Sequence, residues 1–165
     1  MKYIFSAFFL YFFFGFFLYF FQRKIIFNIS KKPKSPSFYE LGNVKEVFIP
    51  TIDKINLLAW HYEGHESSPM LVYFHGNSFD IGERAYRIKK YINSNWSVLL
   101  LAWRGYSGND GKPSEKNLYI DGEAALKWIK KNTEFNYSDL VIYGESLGTG
   151  VAVELSTRYK FLSTV

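Results

Sequence analysis

Residues 3–21 read YIFSAFFLYFFFGFFLYFF, with no charged side chain among them. No other feature narrows the conformations open to this chain as much. As an α-helix at 1.5 Å per residue the run is roughly 28 Å long, close to the ~30 Å hydrocarbon core of a bilayer. A helix packed on a small domain would carry a polar stripe, and this run has none. A cleaved signal peptide would have a shorter apolar region, roughly 7–15 residues, closed by small side chains. Here the run closes Phe20-Phe21-Gln22-Arg23. Residues 1–22 are therefore expected to form an uncleaved, single-pass N-terminal transmembrane anchor. Arg23, Lys24, Lys31, Lys32 and Lys34 follow it, whereas only Lys2 and the α-amino group precede it. The positive-inside rule then puts the downstream domain on the cytoplasmic side. Residues 23–38 are basic and carry Pro33, Ser35, Pro36 and Ser37. They read as an extended tether, which leaves 39–165 as the globular part.

Composition excludes several chemistries. The chain has no cysteine, so it can form no disulfide, thiolate nucleophile or Cys-based zinc site. Its net charge is +5, but the basic residues concentrate at 23–34 and are otherwise mixed with acids. That distribution fits a membrane flank and not a nucleic-acid groove. No metal or organic cofactor is implied.

Beyond the tether the hydrophobic pattern alternates in type. Val44–Pro50 alternates polar and apolar residues and is predicted to pair, through a turn at Asp53-Lys54, with Ile55–Tyr62 as a hairpin. Met70–Phe74, Val98–Ala102 and Leu140–Tyr143 are short, continuous apolar runs, as expected of strands buried on both faces of a parallel sheet. Between them, 81–94 carries Ile81, Ala85, Ile88 and Ile92 at helical spacing. Glu115–Lys131 does the same with Leu118, Ala125, Leu126 and Ile129, and Ser114 is placed to cap it. Leu147–Tyr159 is a further helix, with Val151 and Leu155 facing the sheet. Phe161–Val165 approaches another strand. A hairpin followed by β-α-β-α-β-α implies an α/β fold with a doubly wound parallel sheet. A sheet ending there would expose an apolar edge prone to aggregation.

The chemistry sits at Gly144-Glu145-Ser146-Leu147-Gly148, a G-x-S-x-G segment between a buried strand and an apolar-striped helix. That strand–turn–helix setting raises a serine hydroxyl above the sheet on a sharp turn. Side chains at 144 or 148 would collide with neighbouring backbone, and the following helix places free N–H groups and a positive dipole end beside the serine. A second element, His75-Gly76-Asn77, also follows a buried strand. In this arrangement the amides of Asn77 and Leu147 are the expected oxyanion hole for a nucleophilic Ser146.

The runs YFHGNSFDIGERAYRIKKY, LAWRGYSGNDGKPSE and VIYGESLGTGVAVELS together resemble the α/β-hydrolase-domain family. Within it they are most similar to the membrane-anchored branch described as serine aminopeptidase-like or palmitoyl-thioesterase-like. The likeness extends from about Val44 to the end, and the anchor and tether match that branch's layout. It implies the N-terminal part of an α/β-hydrolase fold. It also implies hydrolysis of an ester, thioester or peptide bond through an acyl-enzyme on Ser146, with a small acyl, lipidated or peptide substrate. His75, Gly76 and Glu145, which adjoin the catalytic positions, are the expected substrate contacts. Arg104-Gly105-Tyr106 and Gly111-Lys112-Pro113-Ser114 match a family loop and are expected to wall the site. Phe79 departs from the family, which has a small residue there.

In this family the acid and the base follow the nucleophile, in the order Ser, Asp, His. No His, Asp or Asn follows Ser146 here. His61 and His65 lie in and after the hairpin, His75 adjoins the oxyanion loop, and Asp80, Asp110, Asp121 and Asp139 all precede the serine. The expectation is a chain that stops before its triad is complete and is inactive alone, the missing residues lying on further sequence or on a separate chain. The alternative is a non-catalytic, membrane-tethered remnant or interaction module.

Overall fold

A computed structural model describes residues 2–165; Met1, the first residue of the expected anchor, lies outside the described residues. Helix α1 (Lys2–Ile26) contains the apolar run and continues past residue 22 through Arg23 and Lys24. From Tyr3 to Ile26 every side chain is exposed. Aromatic pairs four residues apart, Phe16 with Phe20 and Phe17 with Phe21, pack along it at 4.4 and 4.5 Å between ring centres. By length and composition α1 can cross a membrane.

The remainder is one mixed sheet with helices on both faces. Its strands are β1 (Lys45–Pro50), β2 (Asn56–Tyr62), β3 (Met70–Phe74), β4 (Ser97–Leu101), β5 (Leu140–Gly144) and β6 (Ser163–Thr164), in the spatial order β1-β2-β4-β3-β5-β6. The hairpin β1–β2 is antiparallel and β2 joins β4 antiparallel; β4, β3, β5 and β6 run parallel. Every residue of β3 and β4 is buried, because successive side chains serve opposite faces. Leu71, Tyr73, Val98 and Leu100 meet Ile81, Ala85 and Ile88 of the single-turn 3₁₀ segment Ile81–Arg84 and of α2 (Ala85–Asn93). Met70, Val72, Phe74, Leu99 and Leu101 meet Leu118, Ala125, Leu126 and Ile129 of α3 (Glu115–Asn132) and Val151, Ala152 and Leu155 of α4 (Leu147–Arg158). Ser114 caps α3 by accepting from the Asn117 amide at 3.3 Å.

The segment after α1 differs from the tether expected of it. Pro33 and Pro36 are buried, residues Pro36–Tyr39 form a 3₁₀ turn, and the Tyr39 ring meets Trp60 at 5.6 Å. The Ser30 hydroxyl donates to the Phe79 carbonyl (3.1 Å) and accepts from the Ser107 amide (2.9 Å), and the Ser30 carbonyl accepts from Gly108 (3.1 Å). Proline, serine and lysine suit a solvated coil equally well. The docking comes from tertiary partners that composition does not reveal.

Candidate active site

Parallel pairing sets Phe74 of β3 opposite Gly144 of β5. Asn77 and Leu147 lie three residues beyond these partners, so the two candidate amides leave adjacent strand ends at the same offset. The winding of the sheet reverses between β3 and β5, and crevices at such reversals are where open α/β sheets bind ligands.

At the end of β5 the chain turns sharply. Ser146 holds φ 48° and ψ −107° and is exposed. A non-glycine residue keeps such a backbone only where its surroundings over-determine it. They do: Glu145 N donates to Phe74 O (2.9 Å), Gly148 N to Glu145 O (2.8 Å) and Thr149 N to Ser146 O (3.0 Å). The Thr149 hydroxyl adds a bond to Gly144 O at 3.1 Å. Both flanking glycines are steric necessities. A Cβ on Gly144 would lie 2.6 Å from Thr149 Cα, and one on Gly148 would lie 2.0 Å from the Phe74 carbonyl oxygen.

Neither the Asn77 nor the Leu147 amide donates to another described residue. Leu147 is the first residue of α4, whose N-terminal amides lack intrahelical acceptors. The Asn77 loop is fixed by its side chain and by its peptide plane. Asn77 Oδ1 accepts from the Tyr106 hydroxyl (2.5 Å) and from Asn28 N (3.0 Å). Burial pushes the Tyr106 hydroxyl up to about 12, so it stays protonated and donates. The Gly76 carbonyl lies 2.7 Å from His75 Nδ1. In a trans peptide the C=O and the following N–H point in opposite directions, so a carbonyl held inward by His75 turns the Asn77 N–H outward.

The three expected substrate contacts are each held by bonds or close packing within the fold. His75 is fully buried; its Nε2 accepts from the Trp103 amide at 3.3 Å while Nδ1 donates to Gly76. Burial holds its imidazole down to about 3, so it is neutral, and its two nitrogens are engaged by Trp103 and Gly76 and not by Ser146. Gly76 is buried, and a Cβ there would meet Glu145 O at 3.3 Å. The half-buried Glu145 turns its carboxylate to Arg84 (3.2 Å) and Arg87 (3.5 Å) and accepts from the Tyr73 hydroxyl at 2.9 Å. Burial opposes its ionisation, but the hydrogen bonds from Arg84 and Tyr73 outweigh this and hold the carboxyl below its usual range. Phe79, the departure from the family pattern, adopts φ 66° and is 64% exposed.

Among the described residues, no side chain hydrogen-bonds Ser146 Oγ. The Asp121 carboxylate, completely buried, belongs to Arg104, which donates to it from its amide (3.0 Å), Nε (2.9 Å) and Nη2 (2.6 Å). Arg104 also reaches Asp53 at 2.6 Å, tying the hairpin turn to the loop after β4. Sequence reasoning missed Arg84, Asn28 and Ser30. The arginine sits in the polar-looking run GERAYR, and the other two in a segment read as solvated.

A hairpin leading into a doubly wound sheet, with a strained serine turn after β5 and a glycine loop after β3, is the α/β-hydrolase fold. The esterase Pf2001 of Pyrococcus furiosus superposes on 78% of the chain at a TM-score of 0.65 with 22% identity, which covers 51% of that esterase. No family model matches the sequence. An uncharacterized protein of Mycobacterium tuberculosis is 32% identical over 139 residues, 83% of this chain and 50% of its own length. The human alpha/beta hydrolase domain-containing protein 17B is 35% identical over 98 residues, 58% of this chain and 33% of its own length. The chain has the α/β-hydrolase fold and is similar in sequence to an α/β-hydrolase-domain protein, and it spans about half the length of the first of these relatives and a third of the second.

Proposed function

We propose that Ser146 is the nucleophile of a serine hydrolase whose general base and its orienting acid lie outside residues 1–165. One observation supports this above all. An exposed serine at positive φ stands between two unengaged backbone amides that leave neighbouring strand ends. In the proposed reaction Ser146 Oγ attacks the carbonyl carbon of an ester, thioester or amide and passes its proton to the base. The carbonyl oxygen becomes an oxyanion between the Asn77 and Leu147 amides, each such donor contributing about 3 kcal/mol in the transition state. Collapse returns the proton to the departing alcohol, thiol or amine. Water then hydrolyses the acyl-enzyme by the same steps in reverse order. The substrate is a small acyl, lipidated or peptide compound.

The 165-residue chain alone should therefore turn over a p-nitrophenyl ester barely above background and react slowly with a fluorophosphonate probe. Without a base a serine hydroxyl is a weak nucleophile. Binding and the oxyanion hole alone leave ~10³–10⁴-fold acceleration over water in a related triad enzyme. Joining a family C-terminal segment that carries Asp and His should raise both rates, and Ser146→Ala should abolish the gain. A joined protein that binds acyl compounds with no Ser146-dependent turnover would support the non-catalytic module instead.

The same proposal places the domain on a membrane. Residues 3–21 serve as its single anchor, with the domain on the cytoplasmic side as the charge distribution favours. The intact chain should sediment with membranes and resist carbonate extraction, and deletion of residues 1–22 should release it. Carbonate-soluble intact chain would refute the anchor.

A further inference from the structure

Arg84 is 5% exposed and lies at the end of the 3₁₀ turn that opens α2. All its hydrogen-bond acceptors belong to two short segments. Nε and Nη2 donate to the two Glu145 carboxylate oxygens at 3.2 and 3.3 Å, a forked pairing with the residue before the candidate nucleophile. Nη1 donates to the Ser78 carbonyl at 2.5 Å and the Asp80 carbonyl at 3.3 Å, in the loop just past Asn77. We propose that Arg84 is a positioning residue that clamps the loop after β3 to the turn after β5, and so sets the spacing between the amides of Asn77 and Leu147. The inference rests on reading Ser146 and those amides as the reacting groups.

Several features separate a clamp from an ordinary buried ion pair. An arginine retained only to neutralise Glu145 would need no carbonyl partners, and Arg87 already lies 3.5 Å from the same carboxylate. Arg84 instead spends one nitrogen on the opposite segment. The guanidinium is rigid and planar, so its donors stand at fixed separations that a lysine ammonium cannot reproduce. The two segments also lack slack. Glu145 N is bonded to Phe74 O at 2.9 Å, and a Cβ on Gly76 would press on Glu145 O. Small changes at the guanidinium are therefore transmitted to both amides. Misplacing a reacting group by about 1 Å can cost on the order of 100-fold in rate.

The test compares Arg84→Met, Arg84→Lys and Glu145→Gln with Arg87→Met, all in the full chain in detergent micelles. Arg87→Met removes a cation from Glu145 and leaves the bridge intact. Two quantities are read: amide hydrogen exchange by segment, and the rate of fluorophosphonate labelling at Ser146, divided into probe binding and maximal rate. Arg84→Met should speed exchange across both 76–80 and 144–148, with 70–73, 98–101 and 140–143 unchanged. It should also lower the maximal labelling rate about 10–100-fold with probe affinity altered less than about threefold. Arg84→Lys should resemble it, Glu145→Gln should fall between, and Arg87→Met should stay within about threefold of the unsubstituted chain. Should Arg84→Met fail to fold, Arg84→Lys and Glu145→Gln cut the same bridge and decide alone. Labelling that is present but indifferent to Arg84, or exchange that changes in one segment only, overturns the clamp. A chain joined to a family C-terminal segment carrying Asp and His that still shows no Ser146-dependent labelling overturns the hydrolase reading, and exchange then decides whether the mechanical link exists.

Discussion

Alanine at Gly148 should cost the chain about 4 kcal/mol or more, while alanine at Gly150, two residues on in the same helix, should stabilise it by roughly 0.5–1 kcal/mol. The Gly148 Cβ would lie 2.0 Å from the Phe74 oxygen, 2.6 Å from the Phe74 carbon and 3.0 Å from the His75 oxygen. All three are backbone atoms at the end of β3, where no rotamer change can make room. Helix α4 would have to withdraw by about an ångström, loosening Val151, Ala152 and Leu155 against the sheet, and cores resist such insertion strongly. At Gly150 nothing lies within 4 Å; alanine there only removes the backbone entropy that glycine loses in a helix. Urea unfolding of both variants in the same detergent, followed by tryptophan fluorescence, gives the comparison. Equal midpoint shifts, or a destabilised Gly150→Ala, would show that the approach of α4 to β3 is not what demands the glycine.

The second large effect is expected at Arg104, whose side chain is 2% exposed between the fully buried Asp121 and the more accessible Asp53. Arg104→Met leaves the Asp121 carboxylate buried without a counter-charge, which typically costs about 3–5 kcal/mol. Removing both charges, as Arg104→Met with Asp121→Leu, should recover much of that loss, because a buried pair contributes little net stability over apolar side chains of similar size. Asp53→Asn should matter far less. The Arg104 hydrogen bonds hold its carboxyl down to about 2, but water screens the pair. A double variant as unstable as Arg104→Met alone would refute the account, since the damage would then lie in lost packing.

The parts of this fold that were legible in the sequence are those written in local pattern. The all-apolar runs 70–74 and 98–102, too short for helices and set between turn residues, read as doubly buried strands. The period of Leu118, Ala125, Leu126 and Ile129 marked one face of a helix, and Ser114 marked its start. The turn at 144–148 was legible because strand, glycines and helix come in immediate succession. What remained hidden depends on partners distant in the chain. The alternation that puts Phe74 into one core does not say that His75 beside it ends beneath its own loop, with both nitrogens engaged. Glu145 follows a glycine and precedes the serine, a position that reads as open crevice, yet its carboxylate faces an arginine from a helix that begins some sixty residues earlier. The insertion of β4 between β2 and β3 is equally silent, since sequence order lists β3 first.

The docked segment after α1 has a consequence for reach. A free, flexible tether of about 16 residues would have a root-mean-square span of roughly 20–24 Å and let a domain roam over and tilt against its membrane. Here the helix ends at Ile26 and the Asn28 amide is already bonded to Asn77. If α1 spans a bilayer as proposed, these contacts restrict how far the crevice can swing. It is held near the lipid like a fixed-depth gauge, and, if Ser146 is the nucleophile as proposed, a scissile bond has to be presented at that depth to meet it.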